Sequence, residues 1–273
     1  MRYFRNQDIC VRLEGDSIKG ANSFSFDSSY SSPKVEVVGK GILTRSYGGK
    51  NESVGSISAL ILDDGSDLYS KFIANSGVIS NGSLGSSDVN FNFNQGYINS
   101  YTLNGGVSTL PSDSIEFVAY GEIENEEIDP QDNIGEKAFK SKSIFIGGLD
   151  RLETEHIQSF NYSISTSWKP SYIMGTHLPV DVSRVEGYTI SLDLDLIVAG
   201  SAMDSVMNDF EKFISGSNDL TITITGCDET IIYSMPKANI ESEGLTASVD
   251  GFLEGSIKFQ SFVNNLEDLE IAP

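Results

Sequence analysis

Histidine and cysteine are nearly missing, with two of each in 273 residues. His156 and His177 have no Cys, His or carboxylate at metal-ligand spacing, so no zinc site is expected. Cys10 and Cys227 stand far apart without a C-x-x-C arrangement. Two cysteines are no disulfide framework; one bridge stays open as an alternative, and two reduced, packed thiols are the expectation. No run approaches the roughly 18 consecutive apolar residues of a membrane span, so no membrane partner is expected. Residues 1–8 carry positive charge with no apolar stretch after them, so a secretory signal is not expected either.

Positive charge is the next shortage. Eighteen Lys and Arg face 39 Asp and Glu, a net of −21. Residues 1–121 hold nine basic and twelve acidic side chains, residues 122–140 two and seven, and residues 141–273 seven and twenty. Such a chain repels phosphate, which argues against an ordinary nucleic-acid binder. It remains compatible with a surface past which DNA slides without sticking.

Catalytic motifs are absent as well. There is no G-x-S-x-G, H-E-x-x-H, P-loop or G-x-G-x-x-G arrangement. Asp63-Asp64-Gly65-Ser66-Asp67 lacks EF-hand spacing and the distal Glu, and reads better as a helix entry with Ser66 or Asp67 as N-cap. No enzymatic activity and no cofactor are expected.

What is present is a globular composition, 39% hydrophobic and 21% charged, and strand patterning in abundance. Phe160, Tyr162 and Ile164 alternate with Asn161 and Ser163; Tyr188, Ile190, Leu192 and Leu194 alternate with Thr189, Ser191, Asp193 and Asp195. Val89, Phe91 and Phe93, and Leu220, Ile222 and Ile224, follow the same period of two. Alternation places one row of side chains on a core and the other on a polar face, as in half-buried antiparallel strands.

The pattern is written twice. Asn22-Ser23-Phe24-Ser25-Phe26 is answered by Gln158-Ser159-Phe160-Asn161-Tyr162, and Lys71-Phe72-Ile73 by Lys212-Phe213-Ile214. Val89, Phe91, Ile98, Ser100, Ser114, Ile115 and Phe117 meet Ile231, Tyr233, Ile240, Ser242, Ser256, Ile257 and Phe259 at one constant offset. Each copy also carries one helical stripe. Met203, Val206, Met207, Phe210, Phe213 and Ile214 recur at helical spacing before Gly216, with a shorter counterpart around residues 67–73. The chain thus divides into a first domain over 1–121, an acidic linker over 122–140 and a second domain over 141–273. A surface loop within one larger domain is the alternative reading of 122–140. The expected fold is mainly β: two tandem antiparallel β-sandwich or barrel-like domains, each with one packed α-helix. In each copy a long arm rich in Gly, Pro and polar residues, residues 32–53 and 169–187, separates two strand patterns and is too long for a tight turn.

Residues 157–191, with Trp168-Lys169-Pro170 between two strand patterns and the helix at 202–214 beyond, resemble the tail-tube (major tail) proteins of long-tailed bacteriophages and their relatives in contractile secretion machines. The resemblance covers the second copy well, and the first through its match to the second. It implies a virion structural protein, assembled in the host cytoplasm, whose domains join edge to edge in sixfold rings that stack into a tube for DNA. Two fused domains imply three chains per pseudo-sixfold ring. It also implies other tail proteins as partners: tape measure, terminator, baseplate or a sheath. Double-stranded DNA would transit without specific binding. Thr189, Ser191, Asp193 and Asp195 become candidate channel-lining residues. An ordinary solvated face, or for the two aspartates a metal or acid–base pair, is the alternative. Pro33, Lys40, Arg45, Trp168, Pro170, Tyr172, His177 and Arg184 become candidate arm contacts between subunits. For Trp168 and Tyr172, sugar stacking is the alternative. Two other readings stay open: a tube initiator or terminator of the same fold, and an acidic tandem β-sandwich that binds carbohydrate.

Overall fold

The computed structural model describes residues 9–30, 35–37, 41–43, 51–62, 67–86, 89–107, 109–121, 144–149, 157–174, 176, 178–199, 218–225, 230–247 and 252–269. The residue ranges 122–140 and 202–214 lie outside the described residues, as do Pro33, Lys40, Arg45 and His177. What is described is mainly β, with antiparallel pairing throughout.

The first half opens with β1 (Cys10–Leu13), β2 (Asp16–Ser17) and β3 (Ala21–Tyr30). A small pair, β4 (Val35–Val37) and β5 (Gly41–Leu43), precedes β6 (Asn51–Leu60). Helix α1 (Asp67–Ala74) follows, then β7 (Val78–Ser86), β8 (Val89–Gly106) and β9 (Thr109–Ala119). The second half repeats the order: β10 (Ile144–Gly147), β11 (Ile157–Ser165), a pair β12 (Trp168–Ser171) and β13 (Asp181–Arg184), β14 (Tyr188–Ala199), β15 (Asn218–Thr225), β16 (Thr230–Ala247) and β17 (Phe252–Val263). A 3-10 turn, Leu266–Leu269, closes the described chain.

Strand pairing repeats down to its irregularities. β3 pairs β6 with a bulge between Ala21 and Ser23, and β11 pairs β14 with one between Ile157 and Ser159. β8 pairs β9 with a bulge between Ile98 and Ser100; β16 pairs β17 with one between Ile240 and Ser242. β6 and β9 match Ile57 with Ile115, while β14 and β17 match Leu194 with Ile257. Even the backbone outliers correspond, since Gln95 (φ 63°) and Lys237 (φ 53°) sit at equivalent points of β8 and β16. A positive φ in a residue other than glycine is uncommon, and here it marks where each 18-residue strand passes from one partner to the next.

That change of partner shapes the fold. Residues 89–97 of β8 pair with β7, and residues 96–106 pair with β9. In β16, residues 230–238 pair with β15 and residues 239–247 with β17. Each long strand therefore leaves a small group of strands and enters a large one. The small groups are β2-β1-β7 and β10-β15. The large groups join, because β8 also pairs with β11 from Ser100↔Ser165 to Gly106↔Ser159. Eight strands then lie side by side in the order β3-β6-β9-β8-β11-β14-β17-β16. The sheet passes from the first half to the second without interruption.

The core is correspondingly shared. Phe93 from the first small group stacks on Phe117 of β9 at 4.7 Å and on Phe26 of β3 at 6.0 Å. Tyr233, in the second small group, reaches Tyr162 of β11 (5.7 Å) and also Tyr101 of β8 (6.2 Å) in the other half. Helix α1 wedges into this junction with its apolar face: Tyr69 lies 4.4 Å from Tyr233 and Phe72 5.8 Å from Tyr101. Its end is set by Ser76 and Gly77, both at positive φ, with the Gly77 amide donating to the Phe72 carbonyl.

Candidate functional site

The β8–β11 seam sews the first half to the second, and three kinds of contact seal it. On the core face Phe160, Tyr162 and Ile164 of β11 and Tyr101 and Leu103 of β8 are all buried. Phe160 lies over Gly105, whose place a Cβ would contest at 2.5 Å from the ring. Tyr101 and Ile164 stand directly opposite, each 0% exposed. Beyond the strand ends, Trp168 on β12 donates its indole N–H to the Ile98 carbonyl (2.9 Å) and packs on Tyr97 at 5.2 Å. Tyr188 donates its hydroxyl to the Ser76 carbonyl at the end of α1 (3.0 Å).

Buried polar chemistry lies beneath the seam. The Tyr101 hydroxyl is 3.3 Å from Asp113 Oδ2 and 3.3 Å from the Tyr233 hydroxyl, and Asp113 is 2% exposed. Burial, reinforced by the neighbouring Tyr233 and Asp113, drives the Tyr101 phenol well above its ordinary value. A second cluster surrounds Trp168. Burial pushes Tyr120 up to about 12, with contributions from the Glu52 carboxylate, Tyr172 and Tyr97. Burial and then Glu52 raise Tyr172 as well. Alternation marked Tyr162 as core, but no pattern announced Tyr101 or Asp113: an acid in a strand's polar company looks solvated until its partner strand is known.

The opposite face of the eight-stranded sheet is polar through its middle rows, with exposed Val54 opposite Asp27 and exposed Phe262 opposite Thr189 toward its margins. One row of cross-strand neighbours reads Ser23, Ser58, Ser114, Thr102, Ser163, Ser191, Gln260. The next carries Asn104, Asn161, Asp193 and Lys258. All four candidate channel residues, Thr189, Ser191, Asp193 and Asp195, lie on this face, the two aspartates exposed. Asp195 accepts from the Ser159 hydroxyl. Asp193 is raised by partial burial and by the nearby carboxylates Glu241 and Asp195, with Lys258 opposing. Lys258 binds Glu241 at 3.0 Å, which raises the ammonium in turn. Asp27, Glu52, Glu116 and Glu254 share this face, so acidic groups outnumber the Lys258 ammonium. A shallow depression of about 430 Å³ between Gln158, Asp195, Glu254 and Ser256 opens on it. Among the described residues no group of three or more His, Cys, Asp or Glu could hold a metal ion.

The described arm is a hairpin, with Trp168 opposite Arg184 and Pro170 opposite Val182. Its base is tied into the chain. Arg184 donates to the Asn264 carbonyl (2.7 Å) and its guanidinium stands 4.5 Å over the Tyr188 ring. Its tip is apolar and bare: Met174 is 100% exposed and Ile173 60%, with Leu178 and Val180 beside them. Thus Trp168 and Arg184 anchor the arm, Pro170 and Tyr172 are half-buried along it, and the exposed apolar tip lies beyond them.

Neither edge of the eight-stranded sheet has a further partner among the described strands. β3 pairs only β6, and the final segment of β16 pairs only β17. No helix among the described residues is long and apolar enough to cross a membrane.

Neither the protein-family models nor the curated proteins include a significant match to the chain. Its surfaces must be read from their own chemistry.

Proposed function

We propose that the chain is a structural, self-assembling subunit that forms closed rings stacked into a phage tail tube, with the polar face of the eight-stranded sheet turned to a channel for DNA. One observation carries this reading. The β8–β11 seam joins the last large-group strand of the first half to the first strand of the second. The strands equivalent to those two, β16 and β3, stand free at the two ends of the same sheet. A seam that the chain makes once within itself can be made again between chains, and a rotation that closes turns such head-to-tail pairing into a ring.

In this reading each half is one tube module, and three chains supply the six modules of a ring. The acidic polar face repels phosphate, so DNA passes without the counterion-release binding that would hold it. The apolar hairpin tip, Ile173 and Met174, meets the next ring in the stack.

Negative-stain electron microscopy of the concentrated protein tests it. Rings or tubes with an open centre are the expected result. Uniform single subunits at high concentration refute the ring. Rings that never stack speak instead for a capping component of the same fold.

A further inference from the structure

We infer that β16 of one chain pairs with β3 of the next in the register of the in-chain seam, setting Phe24 opposite Ala247, Ser25 opposite Thr246, Phe26 opposite Leu245, Asp27 opposite Gly244 and Ser28 opposite Glu243. This rests on the proposed ring and adds to it the residues that meet.

The register follows from two correspondences. β3 maps onto β11 through their shared bulges, Ala21/Ser23 and Ile157/Ser159. β16 maps onto β8 through the bulges Ile240/Ser242 and Ile98/Ser100 and through the positive-φ pair Lys237 and Gln95. Carrying the seam pairs Phe160↔Gly105 and Ser165↔Ser100 across these maps yields Phe24↔Ala247 and Ser29↔Ser242. A slip of one residue would turn every side chain to the wrong face, so the alternation on both edges holds the register as well.

Burial points to the same occupant. Phe160 and Tyr162 are 5% and 1% exposed because β8 lies beside them. Their counterparts Phe24 and Phe26 are only partly buried, packed on the core from one side with the edge open. A second copy supplies the missing strand, and its residue opposite Phe24 is small, Ala247, as Gly105 is small opposite Phe160. Glu243 is exposed on the core-facing side of β16, at the point that Tyr101 occupies on β8.

The hydrogen-bond phase selects the test. In the in-chain seam the Thr166 amide donates to Asn99 and the Val107 amide to Gln158. Counting by twos from these, Asn161 and Asn104 form a non-hydrogen-bonded pair, in which side chains approach most closely. The equivalent pair between chains is Ser25 and Thr246. In a Cys10→Ala, Cys227→Ala background, S25C/T246C should oxidise to covalent multimers ending at a closed species. It should exceed the register-shifted S25C/G244C by about ten-fold, because disulfide geometry tolerates little displacement. N104C/N161C should close within the single chain, showing that the background folds with its seam intact. If rings form but S25C/T246C stays uncrosslinked while N104C/N161C closes, the register is wrong and the ring survives. If S25C/G244C is the better pair, the register is again wrong. If the unmutated chain forms no rings, both readings fall.

Discussion

Replacing Tyr101 by Phe should lower the stability of the whole described chain in one step. The residue is fully buried, and its hydroxyl lies 3.3 Å from both Asp113 Oδ2 and the Tyr233 hydroxyl. Phenylalanine fills nearly the same volume, so the cost comes from the polar groups left behind. Losing a hydrogen bond to a buried charged acceptor costs about 1.5–3 kcal/mol. For a cooperative unit of this length each kcal/mol moves the midpoint by about 2–4 °C, so the expected fall is roughly 3–12 °C. Asp113 and Tyr101 belong to the first half and Tyr233 to the second, with α1 packed on both rings. One thermal transition, shifted as a whole, is therefore expected by circular dichroism. Tyr233→Phe, made singly and together with Tyr101→Phe, should reveal a coupling of about 0.5–3 kcal/mol between the halves. An unchanged midpoint would refute the hydrogen-bond argument. Two transitions, only one of which moves, would refute the shared core.

Other outcomes follow from the same geometry. Ile173→Ser with Met174→Ser removes apolar surface that is largely exposed, so stability should stay within about 0.5 kcal/mol while tubes shorten to single rings under the microscope. Alkali should unfold the protein through its buried phenols. Tyr101 and Tyr162 are held well above the ordinary 10.0 chiefly by burial, and Tyr120 is pushed up to about 12. A raised folded-state value means that the unfolded chain loses its protons first. Stability is therefore complete below pH 10 and is lost as pH climbs from 10 toward 12. Urea midpoints at pH 8, 10 and 11 should decline in that order, and less steeply in Tyr101→Phe; a flat profile would contradict the assigned burial.

Local pattern carried much of the fold. Alternation at Phe160, Tyr162 and Ile164 and at Tyr188 to Leu194 marks strands whose apolar rows are buried as expected. The stripe around Leu68, Tyr69 and Phe72 does form a helix. Thr189, Ser191, Asp193 and Asp195 share one polar face because a strand has a period of two. What local pattern could not supply was adjacency. Nothing in β8 or β11 alone says that they lie side by side, yet that pairing turns two groups of strands into one sheet and buries Tyr101 beneath Tyr233. Trp168 illustrates the same limit: its type suggested a contact with a neighbouring subunit, whereas in the fold its indole meets Ile98 and Tyr97 of its own chain. The long strands were also hidden. Their change of partner, near Gly96 and Tyr97 in β8, shows only when β7, β9 and β11 are all in view.

The two seams of the proposed ring share a geometry but not a chemistry, and the difference sets the order of assembly. Within the chain the apposed core-face pair is Ile164 and Tyr101, both fully buried. At the free edges the corresponding residues are Ser28, half-buried, and Glu243, exposed. An open strand edge with a fully apolar flank pairs with any similar edge, whereas a charge there keeps the lone subunit in solution until many contacts form at once. The in-chain seam needs no such guard, because the connected strands meet at high effective concentration during folding. Exchanging the polar pair for the apolar one, Ser28→Ile with Glu243→Tyr, tests this directly. Light scattering should then show association at lower concentration, and electron microscopy should show open, irregular assemblies alongside closed rings. If the double variant instead stays single at the concentrations where the parent does, polarity at the edge is not what restrains it. The restraint would then have to lie in the backbone shape of β3 and β16.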